Sequence, residues 1–97
     1  MAITVMLEVQ AQPEKAAELK QVFKEILVDT RTYDGCISVE VTENQDDTAN
    51  LVLLEKWQSR AHYEKYFAWR VESGAIDTLG TFLAQPPSIR YYDTIDA

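Results

Sequence analysis

The chain has 97 residues, of which 46% are hydrophobic, and a formal net charge of −7. That length makes one domain, residues 1–97, and buries only roughly 60–65% of the surface that the unfolded chain exposes. The acidic balance excludes the basic surface from which nucleic-acid binders draw most of their affinity, and it disfavours an anionic membrane surface.

Cys36 is the only cysteine, so no internal disulfide can form, and one Cys with one His cannot build a zinc site of ordinary ligand spacing. The N-terminal segment Met1–Glu8 has neither a basic lead nor a long apolar run, so no signal peptide is expected. No apolar stretch approaches the ~20 residues of a membrane span, which makes the cytoplasm the expected location.

Six elements are predicted. Ile3 to Gln10 alternates, with Ile3, Val5, Leu7 and Val9 on one side, as a half-buried strand does. Pro13 suits the first turn of a helix. Ala16, Leu19, Val22, Phe23, Ile26, Leu27 and Thr30 then recur at helical spacing to near Thr32. Asp34-Gly35 turns the chain into a second alternating strand, Cys36 to Glu43, with Ile37, Val39 and Val41 on the core side and Cys36 opposite. Glu43 to Asn50 reads as a polar turn, with Asp46 and Asp47 at a solvated tip. Leu51 to Trp57 is almost continuously apolar, as a strand covered on both faces would be.

Ser59 is a natural N-cap for a helix from Arg60 to about Ser73. Ala75 to Ala84 reads as a further short helix with Gly80 as its weak point. Pro86-Pro87 precedes a last strand, Ser88 to Ile95. The order β-α-β-β-α-β predicts an α+β domain of the ferredoxin-like kind, a four-stranded antiparallel sheet with helices on one face. The other face, with Met6, Glu8, Ser38, Glu40 and Tyr92, is mixed, and on so small a domain it is expected to be covered by a second copy of the chain.

The candidate chemistry lies in Leu54 to Arg70. At ~100° per residue, His62, Tyr63, Tyr66, Phe67, Trp69 and Arg70 share one broad helix face. Phe67 and Trp69 are expected to pack on the sheet. Tyr63 and Tyr66 bring hydroxyls that need partners and can orient a ligand. Arg70 either pairs with Glu55 or a second subunit, or grips an anionic oxygen. His62 near the helix start is a surface residue or an acid–base group. Glu8 and Glu55 are ion-paired with Arg70 or Arg90, or else carry a raised pKa that suits a base. Cys36 is read as a small core residue.

Three stretches together resemble the antibiotic biosynthesis monooxygenase (ABM) family over essentially the whole chain. They are Phe23 and the helix end followed by Asp34-Gly35-Cys36, the run Leu53-Leu54-Glu55-Lys56-Trp57-Gln58-Ser59, and the closing Pro86-Pro87-Ser88-Ile89-Arg90-Tyr91-Tyr92. The resemblance implies a homodimeric α+β barrel that binds a small aromatic ligand. It also implies oxidation of quinol or polyketide substrates by molecular oxygen without metal or flavin cofactor, the deprotonated substrate itself activating oxygen. Trp57 and Tyr63 stand where polyketide oxygenases of the family carry a Trp and a helix Tyr, whereas Leu53 stands near the place of their strand asparagine. Tyr66 stands where members similar to quinol monooxygenases carry a histidine. His62 lies a turn earlier than the iron-ligating histidine of the haem-degrading branch.

The expected catalytic set is therefore Tyr66, His62 and Arg70, with Trp57, Tyr63, Phe67 and Glu55 binding substrate. A non-catalytic ligand-binding domain and a haem-degrading oxygenase are the alternatives. RNA binding fails on charge and on the absence of aromatic–basic signatures on the first and third strands.

Overall fold

The computed structural model describes residues 2–97; Met1 of the N-terminal segment lies outside the described residues. Its elements are β1 (Ile3–Gln10), α1 (Ala16–Thr32, entered through one 3-10 turn at Pro13–Lys15), β2 (Cys36–Asn44), β3 (Asp47–Trp57), α2 (Arg60–Glu72), α3 (Ala75–Gly80) and β4 (Ser88–Asp93). The strands form one antiparallel sheet in the order β2-β3-β1-β4, the ferredoxin-like arrangement.

Alternation puts Val5, Val9, Leu51, Leu53 and Trp57 on the face that the helices cover, where all are essentially buried. Leu19, Phe23 and Leu27 of α1 and Leu79 of α3 meet Val9, Leu51 and Leu53 in one part of the core. Tyr63 and Tyr66 of α2 meet Val5 and Trp57 in the other. Each large side chain so buried stabilises the fold by roughly 1.5–3 kcal/mol.

Five expectations are corrected by tertiary detail. Ile37 is not on the core side but 55% exposed, and Cys36 is the residue packed inward. The cause is a bulge: Cys36 opposes Trp57 and Ser38 opposes Lys56, so Ile37 has no partner and the alternation changes sides across it. β3 starts at Asp47, not Leu51, because Asn44 closes a tighter turn by accepting the Asp46 N–H at 2.8 Å. In the single chain β3 is covered on one face only, with Val52 and Leu54 half-buried on the other. α3 stops at Gly80, since residues 81–84 turn back to β1, with Leu83 bridging Ala11 and the Ala84 N–H bonding the Gln10 carbonyl at 2.8 Å. β4 ends at Asp93, where pairing with Ile3 ends, and leaves Ile95 78% exposed.

Candidate functional site

Glu55 and Trp57 stand two apart on β3 and so share its covered face. The Trp57 indole N–H donates to Glu55 Oε1 at 3.0 Å, and it is the carboxyl group's only side-chain partner among the described residues. Glu55 is 3% exposed. Burial pushes its pKa up to about 7, against a smaller downward pull from the indole hydrogen bond.

α2 delivers the opposite wall. Ser59 caps it by accepting the His62 N–H at 3.2 Å. Tyr63, Tyr66, Phe67 and Arg70 then follow at offsets of three, four and seven, which puts them on one helix face. Glu55, Tyr63, Tyr66, Phe67 and Arg70 all line a cavity of about 50 Å³ between β3, α1, α2 and α3, whose remaining walls include Leu7, Phe23, Leu53, Ile76 and Leu79. Five of the seven residues singled out in the sequence thus meet around one space.

The other two lie elsewhere. Trp57 sits behind Glu55 and is fully buried. His62 does not line the cavity. Its Nδ1 is 2.7 Å from Ser59 Oγ, and its ring lies so close over Gly35 that a Cβ there would come within 2.5 Å of it. Trp69 also departs from expectation. It does not pack on the sheet but stacks on Tyr33 at the surface, beneath the Arg70 guanidinium.

Arg70 does not pair with Glu55. Its Nε donates to the Tyr66 hydroxyl at 2.9 Å, and its Nη2 donates to the Ile26 carbonyl at 2.7 Å and to Thr30 Oγ1 at 3.0 Å. Thr30 and Tyr66 share a further hydrogen bond of 2.6 Å. The Glu8–Arg90 pair expected from the sequence does form, at 3.3 Å. In the sequence Thr30 is only one more residue of the α1 stripe. A hydroxyl on a core-facing stripe needs a partner, and that need was the available signal.

Capacity remains on this wall. Among the described residues, no side chain bonds Glu55 Oε2, the Tyr63 hydroxyl or Arg70 Nη1. Burial, with added repulsion from Glu55, Tyr66 and Tyr91, drives the Tyr63 pKa far up, so its hydroxyl stays neutral and able to donate. The cavity therefore presents an acceptor, a neutral donor and a cation within apolar walls, a set suited to an apolar molecule with an ionisable hydroxyl. No group of three or more potential metal ligands occurs among the described residues. No helix among them is long and apolar enough to cross a membrane.

Comparison with known proteins agrees with this architecture. A curated relative, an uncharacterized protein of Synechocystis sp., is 23% identical over 90 residues, and the match covers 93% of this chain but 61% of the relative. A conserved protein from Methanosarcina mazei superimposes with a TM-score of 0.88 at 23% identity, covering 98% of this chain and 94% of the other. A Streptomyces coelicolor monooxygenase, solved with the ligand nanaomycin D, superimposes with a TM-score of 0.82 at 18% identity, covering 99% of this chain and 89% of the other. The family model described as antibiotic biosynthesis monooxygenase matches residues 2–70. Strand order, helix placement and this match over more than half of the chain lead to one conclusion: the protein belongs to the antibiotic biosynthesis monooxygenase family.

Proposed function

We propose that the protein is a monooxygenase, working without metal or flavin, for a small electron-rich phenol or quinol held against Glu55. The observation that carries this reading is the Glu55 carboxyl itself. It is buried, is paired with no cation among the described residues, and has its pKa pushed up to about 7 beside an apolar cavity. A base with that pKa is half ionised at neutral pH, which is where general-base efficiency is greatest.

In this proposal Glu55 takes the substrate hydroxyl proton. Proton transfer from a phenol of pKa ~10 to a carboxylate of about 7 is uphill by roughly 4 kcal/mol. Hydrogen bonds from Arg70 Nη1 and the Tyr63 hydroxyl to the phenolate offset that cost, each charged one contributing about 1.5–3 kcal/mol. The electron-rich anion then reduces oxygen directly. One oxygen atom becomes a ring carbonyl, the ring carbon and hydroxyl give up their two hydrogens, and the second oxygen atom leaves as water. Tyr66 acts by holding Arg70 in place. Trp57 orients the carboxyl through its indole N–H. The nanaomycin D complex of the Streptomyces neighbour is in keeping with an aromatic ligand of this class.

The test is oxygen uptake by metal-free protein with a panel of naphthols and hydroquinones, with ¹⁸O₂ label read in the quinone product. Uptake above buffer is expected for wild type, with much less for Tyr66→Phe and less again for Glu55→Gln. Uptake at the buffer rate in wild type would sink the reading.

One observation favours a second reading, a ligand-binding domain without turnover: about 50 Å³ accommodates water but no ring system unless the walls part. Aromatic ligands that raise the melting temperature with no label incorporated would select it. A haem-degrading role draws no support here, since the single imidazole, His62, is engaged with Ser59 outside the cavity.

A further inference from the structure

The chain has five tyrosines and two tryptophans. All but Tyr92 stand in one contiguous cluster. Trp57 lies 5.4 Å from Tyr63 and 5.0 Å from Tyr66, between ring centroids. Tyr66 lies 5.2 Å from Tyr33, and Tyr33 stacks on Trp69 at 5.3 Å with 25° between planes. Tyr63 also meets Tyr91 at 5.8 Å. Tyr63 and Tyr66 line the cavity, while Trp69, at 36% exposure, reaches the surface. Core packing needs apolar volume and does not by itself call for oxidisable rings, because Leu or Phe would fill the same space.

We propose that Tyr66, Tyr33 and Trp69 form an electron-transfer path between the cavity and the surface, by which an oxidising radical formed in the cavity is quenched outside it. Phenol and indole rings are among the side chains most readily oxidised by one electron, and ring edges in van der Waals contact allow rapid hopping.

An aryloxyl radical in the cavity takes one electron and one proton from the Tyr66 hydroxyl and becomes the phenol. The Tyr66 radical takes an electron from Tyr33 and a proton from water in the cavity that Tyr66 lines, while Tyr33 releases its own proton to solvent. Tyr33 is restored in the same way by Trp69, whose indole proton passes to water. A thiol at the surface finally gives Trp69 a hydrogen atom and leaves as a thiyl radical. The net change is one hydrogen atom moved from a thiol to the aryloxyl radical.

The aryloxyl source rests on the oxygenase reading, but the path itself does not, and it is tested without substrate. Azide radicals generated by pulse radiolysis oxidise exposed indoles, here Trp69. Decay of the indolyl absorbance with matching growth of tyrosyl absorbance is expected, at a rate independent of protein concentration. Tyr33→Phe/Tyr66→Phe is expected to lose that phase, and Tyr92→Phe to keep it. Trp69→Phe removes only an exposed ring and is expected to lose the fast indolyl signal altogether. Transfer that is bimolecular, that persists in the double variant, or that disappears in Tyr92→Phe overturns the proposal. Should the double variant fail to fold, persistence of the fast indolyl signal in Trp69→Phe overturns it alone.

Discussion

At Glu55 burial and hydrogen bonding oppose each other, and burial wins. The indole N–H of Trp57 favours the carboxylate, but the apolar surroundings disfavour it more and hold the pKa near 7. The sign of the stability effect follows. The folded state binds this proton more tightly than the unfolded one, so Glu55 favours folding fully below its ordinary pKa of about 4.5, and that contribution fades as pH rises through about 7. Full ionisation costs roughly 3 kcal/mol. Glu55→Gln is therefore expected to melt higher than wild type at pH 8 and to lose that advantage at pH 5. Equal melting differences at the two pH values would show that the carboxyl is not held at a raised pKa. Activity has the opposite slope, because the base works only when ionised: uptake by wild type should rise through about pH 7.

Two element ends are joined where α1 gives way to β2 and β3 gives way to α2. Gly35 has a φ of 91°, and the Gln58 N–H bonds its carbonyl at 2.8 Å. The His62 ring lies directly over the glycine. A side chain here faces both backbone strain and collision. Gly35→Ala is expected to cost about 3 kcal/mol or more in a denaturant titration, with Gly35→Ala/His62→Gly, measured against His62→Gly alone, recovering the steric share of about 1–3 kcal/mol, because the His62 Cβ is itself among the colliding atoms. No recovery would mean that the strain is all in the backbone. A different element controls entry. α3 contributes Ala75, Ile76 and Leu79 to the cavity and is bounded by Gly74, at φ 81°, and Gly80. A ring cannot enter about 50 Å³, so a wall must move, and this short helix has the least to hold it. Hydrogen exchange of amides 75–80 is expected to slow when an aromatic ligand binds. Protection confined to α2 would move the gate there.

At the scale of the whole molecule, one face of the sheet carries no helix. The register places Glu8, Glu40, Lys56 and Arg90 on it together with Met6, Val52, Leu54 and Tyr92. The face is thus electrically neutral, two acids against two bases, on a chain whose net charge is −7. Neutrality allows the face to meet its own copy, where the rest of the surface would repel it. The proposed homodimer predicts twice the chain mass by light scattering at micromolar concentration, and Leu54→Lys should shift it to monomer. A monomeric mass for wild type would remove the proposal.

The sequence by itself determined the β-α-β-β-α-β order, the Ser59 cap and the helix face of Tyr63, Tyr66, Phe67 and Arg70. These follow from periodicity and local hydrogen bonding, which act over a few residues. It also brought Glu55 and Trp57 to one side of a strand, since their spacing of two leaves no alternative in regular pairing. Only the tertiary structure decided the rest. The bulge at Ile37 depends on how β2 registers against β3, so alternation alone put the wrong residue inside. His62 belongs to the Gly35 turn, not to the cavity, because a contact across 27 residues sets its position. Arg70 passes over Glu55 for Tyr66, one turn back on its own helix, and for Thr30 and the Ile26 carbonyl, which only the docking of α1 against α2 supplies. That choice leaves the carboxyl without a cation among the described residues, and it is the reason Glu55 can be read as a base.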